Sequence, residues 1–323
     1  MSGVIGRSLC VLLALLASDC TSHKPGQRLV AFSQANNAEP YRAAQKALME
    51  KLFAQTPQVQ LVVSDAQQDN SKQIAQIETF IRQKPAVLIV APNERAALTT
   101  VMGEAMQAAI PVICLERDIL QPNYTTYIRI DNREIGRMAG QFIVDQLTAR
   151  YGEPRGNVVI IRGLLGVEAQ INRDAGAREI LERYPQIHIV ADPVADWVQA
   201  KAKDRMTEVL RVQPRIDAVY GHNDPMAVGA YLAAKELNRE KEMVFVGVDG
   251  LGGPSGGIKK VIDGVLAATF VYPLGVNEAV EQALHILRDP AYLPPKEITL
   301  PSDMVTPQNA AQLYRQLTLA GEN

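Results

Sequence analysis

The feature that most constrains this chain is an alternation of short β-rich runs with helical stretches, played through twice. Strand-like runs at 29–33, 60–64, 86–91, 111–115 and 127–130 alternate with helical patterns at 41–54, 70–83, 97–108 and 135–151. The last helix is opened by Asp131-Asn132, a good start signal. The pattern then restarts, with strands at 157–162, 188–191, 218–220, 243–248 and 267–272. Helices near 169–184, 200–212, 226–238, 257–263 and 276–288 complete the second run. Strands separated by helices of about 10–15 residues are βαβ units, and these build parallel sheets. Two such runs predict an α/β chain with two sheets. The length, 323 residues, agrees with two domains at roughly 100–200 residues each.

The first twenty residues have a different character. Arg7 is the only charge before Asp19, and residues 9–17 (LCVLLALLA) form an unbroken apolar run. That run is too short to span a bilayer, which needs about 20 residues. A basic start, a short apolar stretch and then small residues predict a secretory signal peptide over 1–20. Cys10 leaves with that signal, and Cys114 stands alone in an apolar run where a thiol behaves as a small hydrophobe. Neither a disulfide framework nor a metal site can be built from these spacings, and His23, His188, His222 and His285 show no ligand motif. The balance of 33 basic against 35 acidic residues lacks the electrostatic footprint of a nucleic-acid binder. No cofactor is implied.

In parallel sheets ligands sit beyond the carboxyl ends of the strands. The residues just past the strands here are strongly polar: 34–37 (including Asn37), 65–68, Asn93-Glu94, Glu116-Arg117-Asp118, His222-Asn223-Asp224 and Asp249. Any one of them could be a helix cap or a turn residue. As a set, in both halves of the chain, they point to a binding cleft.

Five segments, AFSQANNAEPYR at 31–42, SDAQQDNSKQIAQIETFI at 64–81, IPVICLERD at 110–118, YGHNDPMAVGA at 220–230 and FVGVDG at 245–250, carry a family resemblance. In order and spacing they resemble the periplasmic sugar-binding proteins of ABC importers, closest to the ribose- and galactofuranose-binding branch. That branch shares its fold with the ligand-sensing core of the lactose-repressor family. The resemblance covers about residues 28–300 and implies two doubly wound parallel-sheet lobes joined by three crossovers, the type I periplasmic-binding-protein fold. Crossovers are expected near Asp131, Tyr272 and Pro301, with the lobes made of 27–131 plus 274–301 and 132–273 plus 302–323. The partners it implies are a sugar or sugar derivative and an ABC permease, for a periplasmic protein expected to be monomeric. Cys20 resembles the acylated cysteine of a bacterial lipoprotein, although Asp19 stands where a small residue is usual; a lipid there would be the sole membrane attachment.

Carried over by position, Glu116-Arg117 matches an Asp-Arg pair, Arg173 an arginine on a helix of the second lobe, and Asn223 and Asp249 an asparagine and an aspartate at strand ends. Carboxylates accept hydrogen bonds from sugar hydroxyls, and the planar fork of arginine donates to two neighbouring oxygens. Trp197, the only tryptophan, falls where relatives place an aromatic against the sugar ring. Tyr41-Arg42 resembles the Trp-Arg pair of the galactofuranose-like branch. The departures are Glu39-Pro40 in place of a phenylalanine pair, Ala91 in place of an asparagine, and Tyr272 in place of a glutamine. They put ribose in doubt and leave a larger or less hydroxylated ligand, a hexose or a sugar derivative, as an equal expectation.

Rival readings are weaker. Residues 253–257 (GPSGG) match the G-x-S-x-G elbow of a serine hydrolase, with Asp263 and His285 following in order. A flexible stretch separates the strand from Ser255, however, and the elbow requires the strand to run straight into the serine. The same glycines miss a phosphate loop because Lys259 is misplaced. A repressor would need a DNA-reading helix-turn-helix where the apolar export segment lies. The sequence therefore predicts a non-catalytic binding protein, with a receptor serving a chemoreceptor or sensor kinase as the alternative.

Overall fold

The computed structural model describes residues 26–320. The expected signal segment 1–20, Cys20 and residues 321–323 lie outside the described residues.

Two parallel sheets form as the alternation requires. In the first, β1 (Arg28–Gln34), β2 (Val59–Asp65), β3 (Val87–Ala91), β4 (Val112–Glu116), β5 (Thr126–Ile130) and β11 (Glu297–Leu300) lie in the order β2-β1-β3-β4-β5-β11. In the second, β6 (Gly156–Ile161), β7 (Ile187–Ala191), β8 (Ala218–Gly221) and β9 (Val244–Val246) lie in the order β7-β6-β8-β9. β10 (Thr269–Phe270) pairs antiparallel with β12 (Met304–Val305), and an isolated Val246–Ala268 bridge ties this ribbon to β9. Strands such as β3 and β4 are buried at every position, which is why they read as continuous apolar runs rather than alternating ones.

The helices are α1 (Pro40–Phe53), α2 (Asn70–Gln83), α3 (Arg95–Gln107), α4 (Asn132–Tyr151), α5 (Glu168–Leu181), α6 (Gln199–Val212), α7 (Asp224–Glu236), α8 (Gly257–Ile262), α9 (Val276–Arg288) and α10 (Ala310–Ala320). Their starts follow local chemistry. Pro40 opens α1, where its missing N–H costs nothing, and Asp131 accepts from the N–H groups of Arg133 and Glu134 to cap α4. Gly152, at φ 76°, ends α4 in the left-handed conformation.

Three passages join the sheets, at 131, at 271–275 and at 301–303. The expected strand at 267–272 is narrower, because residues 268 and 271 make only isolated bridges. β11, β12 and α10 are additions: β11 is a short edge strand of alternating exposure and β12 is two residues long, both below the reach of periodicity.

This topology sets the place of a site. Strand order reverses between β1 and β3 in one sheet and between β6 and β8 in the other. The loops leaving these strands diverge there, and crevices in open α/β sheets open at such switch points.

Candidate functional site

The loops from both switch points meet in one cleft. Of the side chains proposed as ligand contacts, all but Asn37 line it: Glu39, Tyr41, Arg42, Glu116 and Arg117 on one side, Arg173, Trp197, Asn223 and Asp249 on the other, with Tyr272 at the second passage between the sheets. The other polar strand-end residues, among them Asn93, Asp118, His222 and Asp224, do not. The cavity they enclose measures about 20 Å³, room for about one water. Asn37 stands outside this set, with its buried Oδ1 lacking a partner among the described residues.

On the first side the groups are wired to one another. Glu116 ends β4 with a left-handed φ of 67°, which turns its carboxylate into the cleft. Arg42 donates to Glu116 Oε2 at 2.5 Å, and Tyr272 donates to Oε1 at 2.9 Å. Gln45 accepts from Arg42 at 2.9 Å and donates to the Leu274 carbonyl at 2.9 Å. The Tyr41 hydroxyl donates to the Pro273 carbonyl at 2.8 Å, and its ring lies 5.2 Å from that of Tyr272. Arg117 donates to the Asn93 carbonyl at 3.0 Å, while its buried Nε makes no hydrogen bond among the described residues and lies 3.7 Å from Glu116 Oε2. Glu39 accepts from Asn36 at 2.5 Å and from Gln68 at 3.0 Å.

On the second side, α4 and α5 hold Arg173. Their backbones touch at Gly136, where a Cβ would come within 2.4 Å of the Arg173 carbonyl oxygen. Arg173 donates through Nε to Asn132 at 2.9 Å and through Nη1 to the His222 carbonyl, and its guanidinium lies 4.3 Å over the Tyr272 ring. Trp197 sits in a turn where both Asp196 and Trp197 have positive φ, at 51° and 69°. The ring is buried against Gly163, where a Cβ would fall 2.1 Å from it, and the guanidiniums of Arg117 and Arg173 lie 5.8 and 5.9 Å from its centre. Its Nε1 has no partner among the described residues. Asn223 divides its amide: Oδ1 caps α7 by accepting from Met226 at 2.9 Å, and Nδ2 donates to the Trp197 carbonyl at 3.1 Å.

The electrostatics differ across the cleft. Burial pushes the Glu116 carboxyl up, but Arg42 and Arg117 beside it outweigh that and hold it below the ordinary range. Asp249, at an unusual φ of 127°, is pushed well above the ordinary range by burial and by the neighbouring Asp224. Asp224 itself accepts from Thr269 at 2.6 Å and from the Gly250 N–H at 2.8 Å, and burial pushes it up to about 7. An isolated buried carboxylate costs several kcal/mol to ionise, so Asp249 is the group in the cleft most in need of donors.

Sequence reasoning missed the supporting groups. Ala169 also lines the cleft, and Asn132 donates to Glu168 at 2.7 Å and to the Tyr272 hydroxyl at 3.1 Å, linking Arg173 to Tyr272. Gln45 lies inside α1 and carries no local mark of its role. Tyr272, standing in place of a glutamine, donates its hydroxyl to Glu116 and accepts there from Asn132. The hydrolase motif does not assemble: Ser255 is exposed in a loop, Asp263 pairs with Lys259, and His285 faces Glu281 at 3.8 Å on the exposed side of α9.

Residues 30–288 match the family profile described as periplasmic binding protein domain. The chain belongs to that family. A xylitol-binding protein of Mycolicibacterium smegmatis is 28% identical over 252 residues, 75% of this chain and 70% of that protein. A galactofuranose-binding protein of Escherichia coli is 29% identical over 253 residues, 76% of this chain and 78% of that protein. Among solved structures, the fructose-binding periplasmic domain of a hybrid two-component system superposes with a TM-score of 0.85 at 35% identity, covering 92% of this chain and 96% of that one. The binding component of an arabinose ABC transporter from Shewanella sp. ANA-3, bound to α- and β-L-arabinofuranose, gives 0.82 at 29% identity, covering 91% and 98%. The periplasmic-binding-protein fold of two parallel-sheet lobes is thus shared by the chain and these neighbours. Family membership implies a location outside the cytoplasm, and among the described residues no helix is long and apolar enough to cross a membrane.

Proposed function

We propose that this protein captures a monosaccharide or sugar-like polyol between its two lobes and delivers it to an ABC transporter permease, without catalysing any reaction. The observation that carries the reading is the meeting, across one buried cleft, of Glu116-Arg117 from one sheet with Arg173 and Asp249 from the other. Such a set can accept and donate to a ring of vicinal hydroxyls, and charge-assisted hydrogen bonds are about twice as strong as neutral ones. The Trp197 and Tyr41 rings supply faces for the apolar side of a sugar. Relatives that bind xylitol, galactofuranose and arabinofuranose support this ligand class.

The lobes in this proposal are 27–131 plus 274–301 and 132–273 plus 302–323, hinging at the three passages. A cavity of about 20 Å³ is too small for a monosaccharide to enter, so capture requires the lobes to swing apart and reclose. The proposal also takes 1–20 as an export signal, Cys20 as a lipidation site, and a monomer needing no cofactor or metal. A second reading, a ligand sensor feeding a kinase, is favoured by the likeness to a fructose-binding domain of a hybrid two-component system. A thermal-shift screen against fructose, arabinose, galactose, ribose, xylitol and myo-inositol tests ligand capture. A rise in Tm with at least one sugar or polyol is expected; no shift at millimolar concentration with folded protein would overturn the reading.

A further inference from the structure

A second, larger cavity of about 540 Å³ lies between the lobes, within the roughly 300–1,000 Å³ typical of ligand pockets. One wall is the exposed face of α1, where Pro40, Ala43 and Ala47 present small apolar side chains. The other is Pro225 and Val228 of α7 with the glycine-rich loop 251–257, joined by the polar side chains of Gln199 and Lys260.

This groove is continuous with the polar cleft. Asp249 lines both, and at two further points the wall passes from one to the other between adjacent residues: Glu39 faces the cleft and Pro40 the groove, Asn223 the cleft and Asp224 the groove. The seam thus has contributions from both lobes. A molecule held by the cleft at Asp249 has its next atoms directed into a mainly apolar space more than ten times larger.

We propose that the natural ligand is a glycoside, or a sugar carrying an apolar substituent, whose aglycone lies between α1 and the 251–257 loop. The inference rests on the sugar-binding reading above. The two alanines are what opens the space: larger residues at 43 and 47 would fill it from the α1 side. Closing the lobes over the aglycone would bury its surface on both faces, and burial of an aromatic ring is worth at least about tenfold in affinity.

The test is isothermal titration of the mature chain with the methyl and 4-nitrophenyl glycosides of α-L-arabinofuranose and β-D-galactofuranose, alongside the free sugars. For a sugar whose methyl glycoside binds, the 4-nitrophenyl glycoside is expected to bind at least tenfold tighter. Ala43→Glu and Ala47→Glu, both at exposed helix positions, should erase that gain and leave the methyl glycoside unchanged. Equal or weaker binding of the nitrophenyl compound, or a gain that survives both variants, overturns the inference. Free sugars that bind while no glycoside does would also overturn it and spare the sugar-binding reading. If none of these compounds binds while the thermal-shift screen finds another sugar or polyol that does, the inference falls and the sugar-binding reading stands; an empty screen as well brings down both.

Discussion

The two walls of the cleft carry similar residue types in opposite electrostatic conditions. On the first wall Glu116 is compensated within the protein, paired to Arg42 and bonded by Tyr272. On the second wall Asp249 faces the cleft beside another carboxylate, Asp224, with the Arg173 guanidinium as the opposing charge. The first wall is a finished network that holds its shape alone. The second keeps a carboxylate whose ionisation improves when donors arrive from outside. Preorganisation on one side and an unmet demand on the other give a cleft that is rigid yet responsive to ligand.

Removing the two acids should therefore have opposite effects on stability. Glu116→Ala leaves Arg42 buried without its counter-charge, which should cost about 3–5 kcal/mol in urea unfolding. Asp249→Asn should be neutral or stabilising at pH 8, because it removes a buried charge and its repulsion with Asp224. Equal losses in the two variants would break the comparison. In affinity the order should reverse the intuition from stability. Asp249→Asn should weaken sugar binding by roughly 10- to 150-fold by titration calorimetry, the worth of about 1.5–3 kcal/mol for a hydrogen bond to a charge.

Packing on the second wall gives a smaller effect. Gly163→Ala drives a methyl into Trp197 and should cost about 1–3 kcal/mol as overpacking, read as a fall in Tm and a change in tryptophan emission. An unchanged emission spectrum would show that the ring is free to move away.

The two sides also differ in pH dependence. Asp224 rises from an ordinary 3.8 to about 7, so the folded protein binds more protons than the unfolded chain in that interval. Its stabilising contribution is complete below about pH 4 and is lost as pH rises through about 7. Asp224→Asn should flatten this decline in Tm. Sugar affinity should move the other way, rising with pH by a few-fold as Asp249 ionises to accept hydroxyl protons, and Asp249→Asn should abolish the trend. A trend that survives the substitution would place the titrating group elsewhere.

Much of this arrangement was legible in the sequence, and the misses share a cause. Strand-end residues such as Glu116 and Asp249 could be picked out because parallel sheets place ligands there, and the α/β alternation fixed which ends those were. Gln45, Asn132 and Ala169 were invisible because they sit within or at the start of helices, and only tertiary contact brings Ala169 to the cleft and sets Gln45 and Asn132 behind the residues that line it. Tyr272 was legible as a position but not as a role, since its hydroxyl bonds depend on Glu116 lying 156 residues away in the chain. The groove beside α1 was also hidden: alanines in a helix read as ordinary helix formers until the opposite wall is known.

The central claim is that one sugar bridges both walls. A crystal structure of the protein with the sugar that raises its Tm most tests this directly. The account predicts density between the lobes, with hydroxyls within hydrogen-bond distance of Asp249 and Arg173 on one side and of Glu116 or Arg117 on the other. A sugar bound to one wall alone, or outside the cleft, would contradict it.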